Sequence, residues 1–328
     1  MSLITVRSLS KKYKIADKKP GIKGTIDHFF KRRIREITAV NNICFDIEQG
    51  EIVGFLGSNG AGKTTTLKML CGLIHPTSGE ILVAGHVPFL RKKNYLRQIT
   101  LVMGQKQQLI WDLPPLDSLR VNAAVYGIRN KEANSRIEEL ASMLDLDSEL
   151  SRPVRKLSLG ERMKAELLAA LIHRPSVLFL DEPTLGLDIN SQLKVREFLS
   201  TYNQKYGATI LITSHYMGDI TSLCKRVLLI NQGHLFFDGS LVKLTEKLSP
   251  SRCLQIELKK SINIEQFYQY GRIIFHKDNV IKLLIPKEKF ADELVEILKN
   301  FPINDLEVSE PPIEQLIGRL LKTGLIDQ

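Results

Sequence analysis

The chain has few of the features that mark a secreted, membrane-spanning or metal-stapled protein. Its 328 residues include only four cysteines, and Cys44, Cys71, Cys224 and Cys253 form no CxxC pair. Each has an apolar residue beside it, so buried free thiols are expected rather than disulfides or a metal site. Apolar stretches such as 177–180 and 227–230 are strand-length and fall far short of the ~20 residues a membrane span needs. No apolar segment with a small-residue cleavage site follows Met1, which predicts a cytoplasmic protein. Internal repeats and low-complexity tracts are also missing. What remains is ordinary globular composition, 43% hydrophobic and 25% charged, in a chain long enough for two domains, the first much the larger.

Acid is the scarcer charge, and the net value of +10 is largely local. Lys11, Lys12, Lys14, Lys18, Lys19, Lys23, Lys31, Arg32, Arg33 and Arg35 face only Asp17, Asp27 and Glu36. Such a stretch suits anionic headgroups or nucleic acid, and equally a solvated surface insertion.

The most informative segment is Gly57-Ser58-Asn59-Gly60-Ala61-Gly62-Lys63-Thr64-Thr65, which fits GxxxxGK[ST]. It lies between a strand-like run, 51–56, and a helical pattern through Leu67, Met69, Leu70 and Leu73. Glycines let the backbone curl so that N–H groups converge on phosphate oxygens. Lys63 reaches the β/γ-phosphates, the Thr64 hydroxyl can ligate Mg²⁺, and the helix aims its positive end at the anion. A plain glycine-rich turn would not need Lys and Thr at those positions. About 120 residues on, Val177-Leu178-Phe179-Leu180 reads as a buried strand with Asp181 at its carboxyl end and Glu182 beside it. Open α/β sheets bind ligands at that end. Adjacent acids capping a strand are often merely solvated. Paired with a phosphate loop, Asp181 is expected to partner Mg²⁺, directly or through water, and Glu182 to take a proton from attacking water.

Along the chain, 1–15 reads as an alternating strand (Leu3–Val6) and a turn ending near Tyr13. The basic insertion follows, with Ile26, Phe29, Phe30 and Ile34 suggesting a short amphipathic helix. Residues 39–56 read as two strands joined at Gln49-Gly50, and 78–85 as a hairpin-like segment. A Leu/Ala/Glu/Arg-rich helical block runs from Asp117 to about His173, and strands return at 177–181, 209–213 and 227–230. Strand–helix alternation predicts a parallel sheet with helices on both faces and an inserted helical lobe. Beyond Lys243, strands at 253–258, 272–276, 280–285 and 305–309 alternate with helical patterns at about 263–270 and 287–300. In the second of these, Phe290, Leu294, Ile297 and Leu298 share one face. This βαββαβ order, with a last helix at Ile313–Lys322, suggests a small ferredoxin-like α+β domain.

With these residues in place, the chain resembles the nucleotide-binding subunit of an ATP-binding cassette (ABC) transporter. Leu157-Ser158-Leu159-Gly160-Glu161 resembles the family's LSGGQ signature. Ser158, Gly160 and the helix they open then imply a second anion site, completing ATP held by another subunit's phosphate loop in a head-to-tail dimer. A Ser-x-Gly before a helix is otherwise ordinary capping. Leu159 and Glu161 depart from the consensus, and Glu161 adds negative charge near that interface. By the same resemblance Gln105 is the Q-loop glutamine, touching metal or attacking water, with Gln107 and Gln108 as near alternatives. Asp188 is the D-loop aspartate, His215 the switch histidine on the γ-phosphate, and Tyr13 the aromatic that stacks on adenine. The resemblance implies an α/β P-loop NTPase fold of the ABC type: a parallel sheet, an inserted helical lobe and an antiparallel β lobe. The expected domains are 1–245, with the basic insertion at about 16–38 and the helical lobe at about 106–173, and 246–328.

ATP and Mg²⁺ are the implied cofactors. The implied partners are an integral membrane permease and a second ATP-binding subunit, identical or paralogous, at the inner face of the cytoplasmic membrane. Trp111, the only tryptophan, is expected to line a groove receiving the permease, the alternative being burial in the helical lobe. Segments 105–114 and 306–314 look similar to prokaryotic ABC-2-type exporter ATPases of the drug or viologen kind, which favours export. A soluble ABC ATPase acting on ribosomes or DNA usually has two cassettes or a long coiled coil, and neither is here; nucleic acid is not expected. A P-loop kinase or GTPase would leave Ser158, Gly160 and His215 without a role.

Overall fold

The computed structural model describes residues 2–16, 34–104, 108–248, 251–260, 263–310 and 317. Two compact units emerge, Met1–Gly239 and Ser240–Gln328.

In the first unit a six-stranded sheet has the order β5-β6-β7-β3-β8-β9. Its strands are β3 (Ile52–Gly57), β5 (Ile99–Met103), β6 (Val177–Asp181), β7 (Thr209–Thr213), β8 (Arg226–Asn231) and β9 (His234–Ser240). The pairs β5/β6, β6/β7, β7/β3 and β3/β8 are parallel. A parallel strand is covered on both faces, so it reads as a nearly continuous apolar run; every residue of β7 is buried, as are the first four of β6. Register places Met103 beside Asp181 and Asp181 beside Thr213. The residues that follow these three strands therefore leave the sheet side by side at its carboxyl edge.

A second, three-stranded sheet has the order β2-β1-β4, all antiparallel. Here β1 (Ser2–Ala16) runs on without the expected turn near Tyr13, pairing with β2 (Ile34–Glu48) as far as Ala16 and Ile34. Ile34 is thus a strand residue and not part of a helix. The other expected helix residues, Ile26, Phe29 and Phe30, lie outside the described residues, as does most of the basic insertion. The 78–85 segment is a single strand, β4 (Ser78–Val83), laid against β1, with only a bridge from Val83 to His86. Cys44 is exposed, against expectation, while the other three cysteines are buried.

The helical lobe contains α2 (Pro115–Val125), α3 (Asn130–Leu144) and α4 (Leu159–Leu171), following α1 (Lys63–Leu70) in the chain. Leu73 of the expected helical stripe falls after α1 and is exposed. α3 is tied to the end of α5 (Ile189–Tyr206) by Glu139. Its carboxylate accepts from Tyr206 Oη at 2.5 Å and Arg174 Nη2 at 2.8 Å, and pairs with Lys205. Lys205, then Tyr206, then Arg174 hold this carboxyl down to a pKa of about 2. A depressed carboxylate stabilises the fold above its unfolded pKa and loses that contribution as pH falls through the folded value. Glu139→Gln is accordingly expected to melt ~2–4 °C below wild type at pH 6.5, on a scale of about 1 kcal/mol for a domain this size. The gap should narrow steadily towards pH 2; melting curves at pH 6.5, 4.5 and 3 test this, and a constant gap would contradict it.

The second unit is an antiparallel sheet of order β11-β12-β10-β13. Its strands are β10 (Ser251–Leu258), β11 (Arg272–Lys277), β12 (Val280–Pro286) and β13 (Ile303–Ser309), with α7 (Phe290–Asn300) between the last two. The strand order is the ferredoxin-like one. The first expected helix is only a 3₁₀ turn, Ile264–Phe267. Its Phe267 and the following Tyr270, three apart, both enter the core, Phe267 stacking on Phe301 at 4.3 Å. Residues i and i+3 eclipse in 3₁₀ geometry, so spacing read as α-helical is met by a tighter turn. On α7, Phe290 and Ile297 are buried and Leu294 packs beside them, but Leu298 is exposed. Of the expected last helix, Ile313–Lys322, only Ile317 is among the described residues; it is helical and buried.

Candidate functional site

β3 ends at Gly57, and the chain curls through residues 58–62 into α1. Two of the glycines are sterically required. A Cβ on Gly57 would lie 2.2 Å from Ile230 O, and one on Gly62, at φ 110°, would lie 2.5 Å from Ala39 O. Gly62 is also the N-cap of α1, so no capping side chain covers the helix's first-turn N–H groups. That leaves an anion-binding helix end free for a ligand. Lys63 folds back over the loop and is only 7% exposed; its Nζ donates to Gly57 O at 2.7 Å and Ser58 O at 3.1 Å. Burial lowers its pKa, while Glu182 and Asp181 oppose that effect.

Thr64, Asp181 and Thr213 form a chain of hydroxyl–carboxylate bonds. Thr64 Oγ1 donates to Asp181 Oδ2 at 2.8 Å, and Thr213 Oγ1 to Asp181 Oδ1 at 2.7 Å. Glu182 turns away from the sheet with its N–H on Thr213 O and Oγ1, both at 3.1 Å. It has φ +56°, a left-handed conformation that is strained for a residue with a Cβ. The turn brings Glu182 Oε1 to 2.8 Å from His215 Nε2. Gly104 follows β5 because a Cβ there would meet Glu182 O at 2.5 Å. Thr64, Lys68, Met103, Gly104, Asp181, Glu182 and Leu185 line a cleft of about 260 Å³. Strand register thus gathers Lys63, Thr64, Asp181, Glu182 and His215 into one place.

Other expected site residues lie elsewhere in the copy. Ser158 caps α4: its Oγ accepts from Glu161 N at 3.2 Å, and its N–H donates to Glu161 Oε2 at 2.7 Å. This reciprocal capping box holds the Glu161 carboxyl below its usual range, the bond from Ser158 N–H being the main cause. Gly160 is buried against α5, where a Cβ would come 2.2 Å from Ser191 Oγ. That hydroxyl donates to Asp188 Oδ2 at 2.7 Å, and Asp188 N-caps α5 through Ser191 N. Gly160 and Asp188 therefore meet within one chain through Ser191. Tyr13 stands on β1 opposite Ile37, half-buried, with Lys11 Nζ 5.2 Å from its ring centroid. Gln105 and Gln107 lie outside the described residues. Gln108 does not face the cleft; its N–H, with that of Leu109, donates to the buried Glu166 carboxylate at 2.9–3.2 Å. Burial raises the pKa of Glu166, and those N–H groups pull it back. Trp111 is 44% exposed beside exposed Ile110 and Leu113, with the Arg162 guanidinium 5.2 Å from its ring. It is not packed inside the helical lobe.

Sequence reading missed Lys68, Glu166 and the fully buried Asp219. Glu166 carried a signal: it is the one carboxylate in the apolar run 165–171, and a charge in such a run is either paired or exposed.

Known proteins resemble the chain in family, in sequence and in fold. A family model described as "ABC transporter" matches residues 40–185, and one described as "EvrA-like ABC transporter, C-terminal domain" matches residues 250–309. The ABC transporter ATP-binding protein NatA of Bacillus subtilis is 35% identical over 66% of this chain and 88% of its own. The bacitracin transport ATP-binding protein BcrA of Bacillus licheniformis is 31% identical over 88% of this chain and 94% of its own. A solved dimeric ATP-binding cassette in a post-hydrolysis state, bound to ADP and Pi, aligns with TM-score 0.61 at 23% identity, covering 73% of this chain and 98% of that one.

Proposed function

The chain belongs to the ATP-binding subunits of ABC transporters, and we propose that it is the motor of an exporter, working as a head-to-tail dimer beneath a separate membrane permease. ATP binding and hydrolysis come with the family. The observation that carries the site assignment is the Glu182–His215 contact of 2.8 Å beside the Thr64–Asp181–Thr213 chain.

Phosphoryl transfer to water calls for positioning and charge stabilisation more than covalent chemistry. The loop N–H groups and Lys63 hold the triphosphate. Glu182 accepts the proton of the attacking water, and His215 holds the Glu182 carboxylate and meets the γ-phosphate. The Thr64 hydroxyl and Asp181 carboxylate are hard oxygen donors 2.8 Å apart. No cluster of three His, Cys, Asp or Glu ligands occurs among the described residues. This donor set fits Mg²⁺, which takes one or two protein oxygens and completes its shell with phosphate and water. When bound, Mg²⁺ would neutralise charge on the phosphate oxygens. Gln105 is proposed as a further contact to the metal or water, and Tyr13 as the adenine platform. Ser158, Gly160 and Asp188 do not line the cleft of their own copy, which supports a role facing the nucleotide of another copy. A capping box already occupies the Ser158 N–H, so closure on a phosphate competes with Glu161.

No helix among the described residues is long and apolar enough to cross a membrane, so the cargo path is assigned to the permease and the motor to the inner face of the membrane. Export rests on the likeness of segments 105–114 and 306–314 to drug-type exporter ATPases, and the bacitracin transport subunit, matched over nearly its whole length, is likewise a transport ATP-binding protein. The exposed Ile110-Trp111-Leu113 surface is proposed to meet the permease. Trp111→Ala should keep ATPase activity of the isolated subunit within twofold of wild type while transport by the reconstituted transporter falls at least ~10-fold, as for a buried aromatic anchor. Equal loss of both activities would count against this.

A further inference from the structure

The turn bearing Glu182 and the turn bearing His215 are joined by a single buried carboxylate. Asp219, on α6 (Met217–Leu223), is wholly inaccessible. Its Oδ2 accepts from Thr184 Oγ1 and from Ser214 Oγ, the latter at 2.6 Å; its Oδ1 accepts from Arg196 Nε at 2.6 Å. Thr184 follows Glu182 by two residues and is itself buried. Ser214 immediately precedes His215, and its Oγ also accepts from Tyr216 N at 3.0 Å. Arg196 reaches in from α5, its Nη2 donating to Gln192 Oε1 at 3.2 Å. The guanidinium passes close over Gly218, where a Cβ would lie 3.0 Å from Arg196 Nη2.

A buried ion pair is weak evidence of stability, since desolvation offsets much of the attraction and well-packed apolar residues often serve as well. What apolar residues cannot do is draw two hydroxyls from different turns onto one oxygen. Both arms end within two residues of the groups assigned to proton transfer and γ-phosphate contact. We propose that Asp219, oriented by Arg196, is a positioning residue that sets the separation of Glu182 and His215 through the hydroxyls of Thr184 and Ser214. This rests on the roles given above to Glu182 and His215. A displacement of about 1 Å at a reacting group can slow a step by about 10²-fold, and two hydroxyl tethers on one buried oxygen are the kind of restraint that prevents it. Arg196 lies two helical turns beyond Asp188 on α5, so the same carboxylate also ties that helix to both turns.

Thr184→Val and Ser214→Ala each remove one tether with little change of volume. Each is expected to lower kcat ~10- to 100-fold with KM for ATP within twofold. The double variant should be no slower than the slower single one, because one cut already frees the turns. Thr184→Ser, which restores a hydroxyl, should return most of the rate. Circular dichroism and melting curves, run on all variants, would show an intact fold. Wild-type kcat in both Thr184→Val and Ser214→Ala would overturn the proposal. So would a Thr184→Ser variant as slow as Thr184→Val, since packing and not the hydroxyl would then be what mattered. Glu182→Gln separates the two levels: if it is inactive while the tether variants run at full speed, the positioning role falls and the base assignment stands. If Glu182→Gln itself turns over normally, the base assignment is what fails.

Discussion

Glu182→Gln is expected to lower ATP turnover by about 10³-fold, within the 10²–10⁴ range for loss of a general base, while leaving ATP binding intact. The amide is nearly isosteric and its oxygen can still accept from His215 Nε2, so the 2.8 Å contact survives in shape. What it loses is the capacity to take a proton. The phosphate-binding parts, Lys63 and the free N-terminus of α1, are untouched. ATP should therefore be bound and kept, and the ATP-dependent dimer should accumulate because the step that releases it has been stopped. Size exclusion with ATP, against ADP as control, reads the dimer, and phosphate release reads the turnover. Turnover above a tenth of wild type would remove Glu182 as the base. The left-handed backbone at this residue (φ +56°) is strained, as it is at eight other described non-glycine residues, so the assignment rests on the His215 contact and not on the strain.

That strain was not legible in the sequence, although the residue was. Residues 177–182 announced a buried strand ending in two acids, because a parallel strand covered on both faces is an apolar run whatever its neighbours are. The glycine-lysine loop was legible for a similar reason: its chemistry is local, and each residue type answers a local geometric demand. Features decided by distant partners were not. β1 continues past Tyr13 only because β2 pairs with it as far as Ile34, and nothing within residues 7–16 specifies that. Cys44 has apolar neighbours in sequence yet is exposed, since alternate residues of a strand face opposite ways. Asp219 reads as an ordinary surface acid until α5, the Thr184 turn and the Ser214 turn close over it. The helix at Ser158 shows the limit from the other side. Its Ser-x-Gly pattern fits both a capping box and an anion site, the single copy displays the cap, and the second role depends on another copy.

Lys63→Met should abolish most of the stabilisation that ATP confers while changing the unliganded protein little. In the unliganded loop the ammonium is nearly buried, held by two carbonyls of its own loop and opposed by its own desolvation. These contributions offset one another, and a methionine of similar length fills the same space, so the melting temperature without nucleotide should move by no more than ~2 °C, about half a kcal/mol in a domain this size. Phosphate changes the balance. A charge-assisted bond to an anion is worth about 1.5–3 kcal/mol, or roughly a 10²-fold loss of affinity at its upper end. At an ATP concentration 100 times the wild-type Kd, binding stabilises by about 2.7 kcal/mol; with affinity 10²-fold weaker the same concentration gives only about 0.4 kcal/mol. On the same size scaling, wild type should gain ~5–10 °C with ATP and the variant ~1–2 °C. A Lys63→Met protein that keeps the full ATP-induced shift would show that this lysine does not grip the phosphates, and the triphosphate would have to be sought away from the Gly57–Thr65 loop.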